Sequence, residues 1–312
     1  MADVVTVTPN PALDVSVRAT EMVPGRKLRS RYEGAEPGGG GINVARALLR
    51  LGIDTVAVLP VGGTPGMELE LLLRRESVPV KIVQIAGETR RSTTVHTSAT
   101  NEHYRLVGEG PQLSPTEAEA LVQAAREANP TRFLVLSGSL PDGLGRDFVL
   151  ELAAVARETG AKFVVDTSGD PLKAAVEAHA DLIKPNRREL TLLAGYDGVI
   201  DLSAIHEACK RVIDSGVGAV VASLGATGAF VLGADGAEAR VYSPFVDVQS
   251  TVGAGDALLA GTIAGLVQGS DLVEAVRLGV AAGSAATLTR GTQLFSVEEV
   301  QRLARETAIV RA

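Results

Sequence analysis

The segment Ser250-Thr251-Val252-Gly253-Ala254-Gly255-Asp256-Ala257 runs straight into the apolar stretch Leu258–Leu266. Small residues at a helix start leave several backbone N–H groups unpaired and uncovered, and together with the helix dipole they make a site for an anion. Asp256 then has two readings. It caps the helix, as acids commonly do in a first turn, or it is a general base beside oxyanions whose charge develops during group transfer. A second glycine run, Pro37-Gly38-Gly39-Gly40-Gly41-Ile42-Asn43, opens another helix. Four consecutive glycines cost backbone entropy that an ordinary turn rarely needs. The run is either a loop of left-handed residues or a place where a polar ligand meets bare backbone, with Asn43 bonding its hydroxyls.

Two further segments follow strand-like runs. Ser223-Leu224-Gly225-Ala226-Thr227-Gly228 is a tight turn into Phe230-Val231-Leu232, or a loop whose amides face phosphates. In Lys184-Pro185-Asn186-Arg187-Arg188-Glu189, Asn186 and Glu189 share one helical face. They form a capping-box variant, Asn186 at the N-cap and Glu189 reaching back, or they supply hard oxygen ligands suited to Mg²⁺ through its waters.

These segments need a scaffold, and the rest of the chain reads as one. Strand-like runs at Val4–Thr8, Thr55–Leu59, Lys81–Ile85, Phe133–Leu136, Phe163–Asp166, Leu182–Lys184 and Ala219–Ser223 alternate with helical patterns. Several runs are apolar throughout, as parallel strands covered on both faces require. Ser114-Pro115-Thr116-Glu117 and Ser296-Val297-Glu298-Glu299 mark helix starts. The alternation predicts an α/β fold with a doubly wound, mostly parallel sheet flanked by helices. Residues about 15–36 and 88–109 break the rhythm. The second contains a hairpin turning near Thr100-Asn101, and together they predict a small β-sheet lid on one domain spanning 1–312.

Composition narrows the function. The 312 residues are 46% hydrophobic and 21% charged, which a chain too polar to bury a core does not show. Net charge is −7, the longest basic runs are pairs, and aromatics are only 3% with no Trp. Neither a phosphate-backbone footprint nor a base-stacking platform is present, so nucleic acid is not an expected partner. Cys209 is the single cysteine and excludes an intrachain disulfide. The N-terminus lacks a basic-then-apolar leader, and Val252–Gly269, interrupted by Asp256 and Gln268, reads as a buried helix rather than a membrane span. The expected setting is cytoplasmic. No Walker motif, G-x-G-x-x-G or G-x-S-x-G occurs, and the four histidines lack metal-ligand spacing.

Phosphate-handling segments without a Walker motif lead to a resemblance. The chain resembles, end to end, the ribokinase-like phosphofructokinase-B family of sugar kinases, through Gly38–Ala47 with Asn43 and through Asp247–Gly261 around Thr251-Val252-Gly253-Ala254-Gly255-Asp256. Within it, Pro37–Arg46, Ser137-Gly138-Ser139-Leu140-Pro141 and Ala281–Leu288 are most similar to the second-type 6-phosphofructokinases. The 1-phosphofructokinases and tagatose-6-phosphate kinases usually carry Lys where Gly40 stands; these are the alternatives on the same scaffold, an inactive ligand-sensing homologue a more distant one.

The resemblance implies ATP-dependent phosphorylation of fructose 6-phosphate at its C1 hydroxyl. Asp256 would be the base, with the amides of Gly253, Ala254 and Gly255 holding the transferring phosphoryl group. Asp14, Gly39, Gly40, Gly41, Asn43 and Ser139 would bind the sugar. Arg90 would hold its 6-phosphate with Lys27, the latter reaching across a dimer; Arg29 and Arg105 are further candidates. ATP would lie along Lys184, Pro185, Asn186 and Ser223–Gly228 (including Leu224, Gly225, Ala226 and Thr227), with Gly279 and Gly283 near the base. Mg²⁺ would be organised through water by Asn186 and Glu189, with Asp166 a further acidic contact, and K⁺ by Ser250, Val252, Ala286, Gly291 and Gln293. The lid would pair two copies into a homodimer.

Overall fold

The computed structural model describes residues 2–289 and 294–311. Its larger sheet has ten strands in the order β14-β13-β12-β11-β10-β9-β8-β1-β4-β5. They are β1 (Ala2–Val7), β4 (Thr55–Val61), β5 (Val80–Gln84), β8 (Pro130–Ser137), β9 (Lys162–Asp166), β10 (Leu182–Ile183), β11 (Ala219–Ser223), β12 (Ala229–Gly233), β13 (Glu238–Tyr242) and β14 (Ala308–Arg311). From β5 to β11 all neighbours are parallel, and β12 to β14 add antiparallel at one edge. The seven runs anticipated from sequence are the seven parallel strands. Those at the edge were not all anticipated, because β13 and β14 are short and mixed in polarity.

Helices cover both faces. On one lie α3 (Pro115–Ala128), α4 (Arg146–Thr159), α5 (Gly169–Glu177), α6 (Arg187–Leu193) and α7 (Ile205–Asp214), burying Leu121, Phe148, Leu172, Leu190 and Cys209 against Val5, Val7 and Leu134. On the other lie α1 (Gly40–Arg50), α8 (Ala254–Val267), α9 (Leu272–Thr287) and α10 (Val297–Glu306), with Leu48, Leu259, Val276 and Leu303 against Val4 and Val135. Alternate residues of one strand serve opposite cores, which is why these strands read as continuously apolar. The remaining helix, α2 (Gly63–Arg75), packs Leu69 and Leu73 on Leu59 and Val61. The Cys209 thiol is fully buried, and burial pushes it up to about 12.

The smaller sheet is separate and drawn from the two segments that break the rhythm; as the proposed lid it is called the lid below: β2 (Ala12–Ala19), β3 (Ser30–Gly38), β6 (Arg90–Thr97) and β7 (His103–Val107), in the order β3-β2-β6-β7. It differs from expectation in two ways. The first segment begins and ends closer to the main sheet, since pairing runs from Ala12↔Gly38, and the two antiparallel hairpins join through a parallel β2–β6 ladder. Asp14 is the third residue of β2 and lies beside Ser92. Among the described residues no helix is long and apolar enough to cross a membrane.

Candidate active site

Two helix starts meet at the ends of the parallel strands. Gly253, at φ +77°, is the N-cap of α8, and Gly39, at φ +120°, the N-cap of α1; no side chain caps either. Both backbones are left to turn their free amides outward. The rest of the glycine run serves close approach rather than left-handed turns: a Cβ on Gly40 would lie 2.5 Å from Ser137 Oγ and 2.8 Å from the Gly138 nitrogen. A lysine cannot occupy position 40 here without moving the end of β8.

Between the two starts, Asn43 Nδ2 donates to Asp256 Oδ2 at 2.8 Å, joining residues 213 positions apart. Burial and then the Asp166 carboxylate push Asp256 up to about 7, against the pull of that hydrogen bond and of Lys184. Lys184 is buried beside it and pairs with Asp166 at 3.1 Å. Its Nζ lies 3.4 Å from where a Gly255 Cβ would stand, so the ammonium sits at the first turn of α8. Burial works against its charge, but Asp166, Asp256 and Glu189 outweigh burial and keep it protonated. A fixed cation, free amides and a carboxylate near neutrality thus share one small volume, the arrangement that stabilises an oxyanion while a proton leaves a nucleophile.

The lid contributes the opposite wall. Asp14, raised by burial against the charges of Arg105 and Arg90, accepts a hydrogen bond from Ser92. Arg90 Nη2 donates to the Asn10 carbonyl at 3.1 Å, and Asn10 Nδ2 to Ser139 Oγ at 3.3 Å. Arg105, on β7, is close enough to Asp14 and Asp256 to favour both charged forms. Asp14 Oδ1, Asn43 Oδ1, Asn10 Oδ1, Ser137 Oγ and Arg90 Nε are buried with no hydrogen-bond partner. Leaving one such group unpaired costs about 1–3 kcal/mol. A cluster of them, of both donor and acceptor type, is what a polyol phosphate would satisfy.

Asn10, Ser92 and Ser137 were missed in the sequence. Only Asn10, between Pro9 and Pro11 just past a strand, carried a signal. Lys27, Gly279 and Gly283 stand apart from this cluster. Lys27 is exposed in the β2–β3 connection, beyond the Ala19↔Ser30 end of the lid, while Asp14 lies at the other end. Gly279 and Gly283 are buried in the contact of α9 with α8, where a Gly279 Cβ would come within 2.2 Å of Thr262 Oγ1.

On the far side, Asn186 Oδ1 accepts from the Glu189 amide at 3.0 Å and Glu189 Oε2 from the Asn186 amide at 2.8 Å, the reciprocal capping box. Asn186 also bridges to Ser223 in a parallel sense. The Ser223–Gly228 segment is, as one reading had it, the turn of the β11–β12 hairpin, closed by a 3₁₀ turn at Gly225–Thr227. Its Gly225 to Thr227 backbone is exposed toward solvent. Ser250 N–H donates to the Thr287 carbonyl at 3.2 Å, which sets Ser250 and Val252 beside Ala286 at the C-terminal end of α9. Gly291 and Gln293 lie outside the described residues.

The model of the pfkB family carbohydrate kinases matches residues 13–299. The chain belongs to that family. Among its relatives, the ATP-dependent 6-phosphofructokinase isozyme 2 of Escherichia coli (strain K12) is 39% identical over 97% of this chain and 98% of its own. The 1-phosphofructokinase of Bacillus subtilis (strain 168) is 32% identical over 98% of this chain and 99% of its own. A crystal structure of phosphofructokinase-2 from Escherichia coli in complex with potassium superimposes with a TM-score of 0.93, at 38% identity, covering 98% of this chain and 99% of that one. The protein is therefore a carbohydrate kinase with the ribokinase-like architecture anticipated from its motifs.

Proposed function

We propose that this kinase transfers the γ-phosphoryl group of ATP to the C1 hydroxyl of fructose 6-phosphate, giving fructose 1,6-bisphosphate. The observation that carries the reading is the Asn43–Asp256 pair at the amide-rich start of α8, with Lys184 beside it. Asp256 takes the proton as the hydroxyl attacks. The amides of Gly253, Ala254 and Gly255 and the Lys184 ammonium receive the charge of the transferring group. Phosphoryl transfer is mostly positioning plus charge stabilisation, so little else is needed. Asp14, Asn43, the Gly39–Gly41 backbone and Ser139 bind sugar hydroxyls, and Arg90 with Arg105 takes the 6-phosphate. ATP lies along Lys184–Asn186 and Ser223–Gly228; Gly279 and Gly283 act behind it, by letting α9 close directly on α8.

Gly40, closed over Ser137, favours the 6-phosphofructokinase reading over a 1-phosphofructokinase or a tagatose-6-phosphate kinase. The decisive assay compares kcat/KM for fructose 6-phosphate, fructose 1-phosphate and tagatose 6-phosphate with Mg·ATP. A clear preference for fructose 6-phosphate is expected; preference for another sugar would overturn the substrate, and no turnover the activity.

Among the described residues no three acidic or histidine side chains gather as a metal cage. That fits Mg²⁺ held mainly by phosphate oxygens and water, with Glu189 and Asn186 orienting its waters. Bound there it would neutralise charge on the β- and γ-phosphates. The carbonyls of Ser250, Val252 and Ala286 are suited to K⁺ near the anion site. The outer lid face carries Val15, Val17, Val95, Tyr32, Tyr104 and Leu106 in adjoining rows, with Tyr32 61% and Leu106 58% exposed. It supports a homodimer through the lid, from which Lys27 of each copy reaches the other's sugar phosphate. A cytoplasmic setting accords with the phosphorylated substrates.

A further inference from the structure

We infer that Phe245 stacks on the adenine base of ATP, an inference that rests on the nucleotide site proposed above. Four of the six phenylalanines, Phe133, Phe148, Phe163 and Phe295, are buried, and Phe230 is half-buried against His206. Phe245 is 99% exposed. Such a ring in water forgoes the apolar burial that places the others inside, and its position explains what could cover it.

Phe245 lies in the segment between β13 and the start of α8, and both ends of that segment belong to the nucleotide site. At one end the Gly228 backbone sits so close that a Cβ there would lie 2.0 Å from the Val241 carbonyl oxygen and 2.8 Å from the Ser243 nitrogen. Arg240 Nη2 also donates to the Thr227 carbonyl at 3.2 Å. At the other end, the amides of Gln249 and Ser250 both donate to the Thr287 carbonyl, at 2.8 and 3.2 Å, three residues before Gly253. Between them Pro244 fixes one flank of Phe245, and Val246 packs into the core under α8 and α9 on the other. The ring is therefore held on a short, anchored arch that runs from the exposed turn at Gly225–Thr227 to the amides of Gly253–Gly255. A nucleotide with its phosphates at those amides and its base at the Gly225–Thr227 turn, as proposed above, would lie along this arch. The turn offers backbone polar groups to a base edge, and Phe245 offers the π-face.

The test is the affinity of the full-length protein for ADP and for inorganic tripolyphosphate, which has the phosphates but no base, by isothermal titration. Phe245→Ala is expected to weaken ADP about 5- to 100-fold, the usual range for losing one base–aromatic stack. Tripolyphosphate binding should stay within about twofold, and Phe245→Tyr should retain ADP affinity. In turnover, the alanine variant should raise KM for ATP and leave kcat at saturation and KM for the sugar phosphate unchanged. Unchanged ADP affinity would overturn the assignment, as would equal loss of ADP and tripolyphosphate, or a change in sedimentation behaviour in place of nucleotide affinity. Wild-type protein that binds tripolyphosphate but not ADP would overturn it too, while wild type binding neither would strike at the nucleotide site itself.

Discussion

Asp256 has two demands on it: it must be charged to accept a proton, and it sits where charge is costly. With its carboxyl near 7, kcat/KM should climb as pH rises through about 7 and level off above; a profile flat from pH 5.5 to 8 would contradict a base at this position. Asp256→Asn should keep ADP affinity and lose about 10²–10⁴-fold in kcat. The same shift has a stability sign. Folding raises this carboxyl above its ordinary 3.8, so the folded chain holds the proton more tightly, and that stability is lost as pH rises towards 7. Asp256→Asn, neutral throughout, should therefore gain in Tm relative to wild type at pH 8 compared with pH 5, read by thermal melts at both. Asp256 and Asn43 were legible because each stands in a run of small residues whose composition is itself a signal. Asn10, Ser92 and Ser137 were not. They are common polar residues whose role arises from being brought together from β6, the end of β8 and the β1–β2 turn.

At the scale of elements, glycine and the cap residues decide how the cleft is walled. Gly279 lets α9 lie directly on α8, and a methyl group there meets Thr262 Oγ1 and the Leu258 carbonyl oxygen, at 2.2 and 2.5 Å. Gly279→Ala should cost about 1–3 kcal/mol by overpacking, seen as a lower Tm, and should weaken nucleotide binding if α8 is displaced. Asn186 permits a cleaner separation of roles, because serine caps a helix about as well as asparagine. Asn186→Ser should leave the melt nearly unchanged; a raised Mg²⁺ requirement for turnover is expected if Asn186 orients the metal's waters, and no change if it only caps α6. Both readings of that segment were open in the sequence, and the capping box in the structure satisfies one without consuming the other, since Glu189 Oε1 takes no part in it and Asn186 Oδ1 keeps a second lone pair to accept from a metal-bound water. The parallel strands were readable from continuous apolar runs. The antiparallel edge and the parallel β2–β6 ladder were not, because pairing direction leaves no periodic trace in such short segments.

At the scale of the whole molecule, the lid and the main sheet meet along one line, with Asp14 and Arg90 on one side and Asp256 on the other. Because β2 and β6 are hydrogen-bonded from Ala12↔Arg90 onward, Asp14 and Arg90, the acid and cation proposed to hold the sugar phosphate, would travel as one rigid piece in any movement of the lid. If two copies pair through the outer lid face, Leu106→Asp should yield monomers in sedimentation. Those monomers should then share with Lys27→Ala a raised KM for the sugar phosphate, with nucleotide affinity retained. The lid itself was visible in the sequence as an interruption of the α/β rhythm. The apolar row on its outer face was not, for such a row becomes evident only once the strands are in register. Cys209 has a practical bearing on all of this. A thiol that is fully buried and pushed up to about 12 stays protonated, so maleimides and nitroxide reagents pass it by. Cysteines placed one on the lid and one beside α8 would be labelled alone, in the otherwise native chain, and the separation of their probes would follow lid closure through a catalytic cycle.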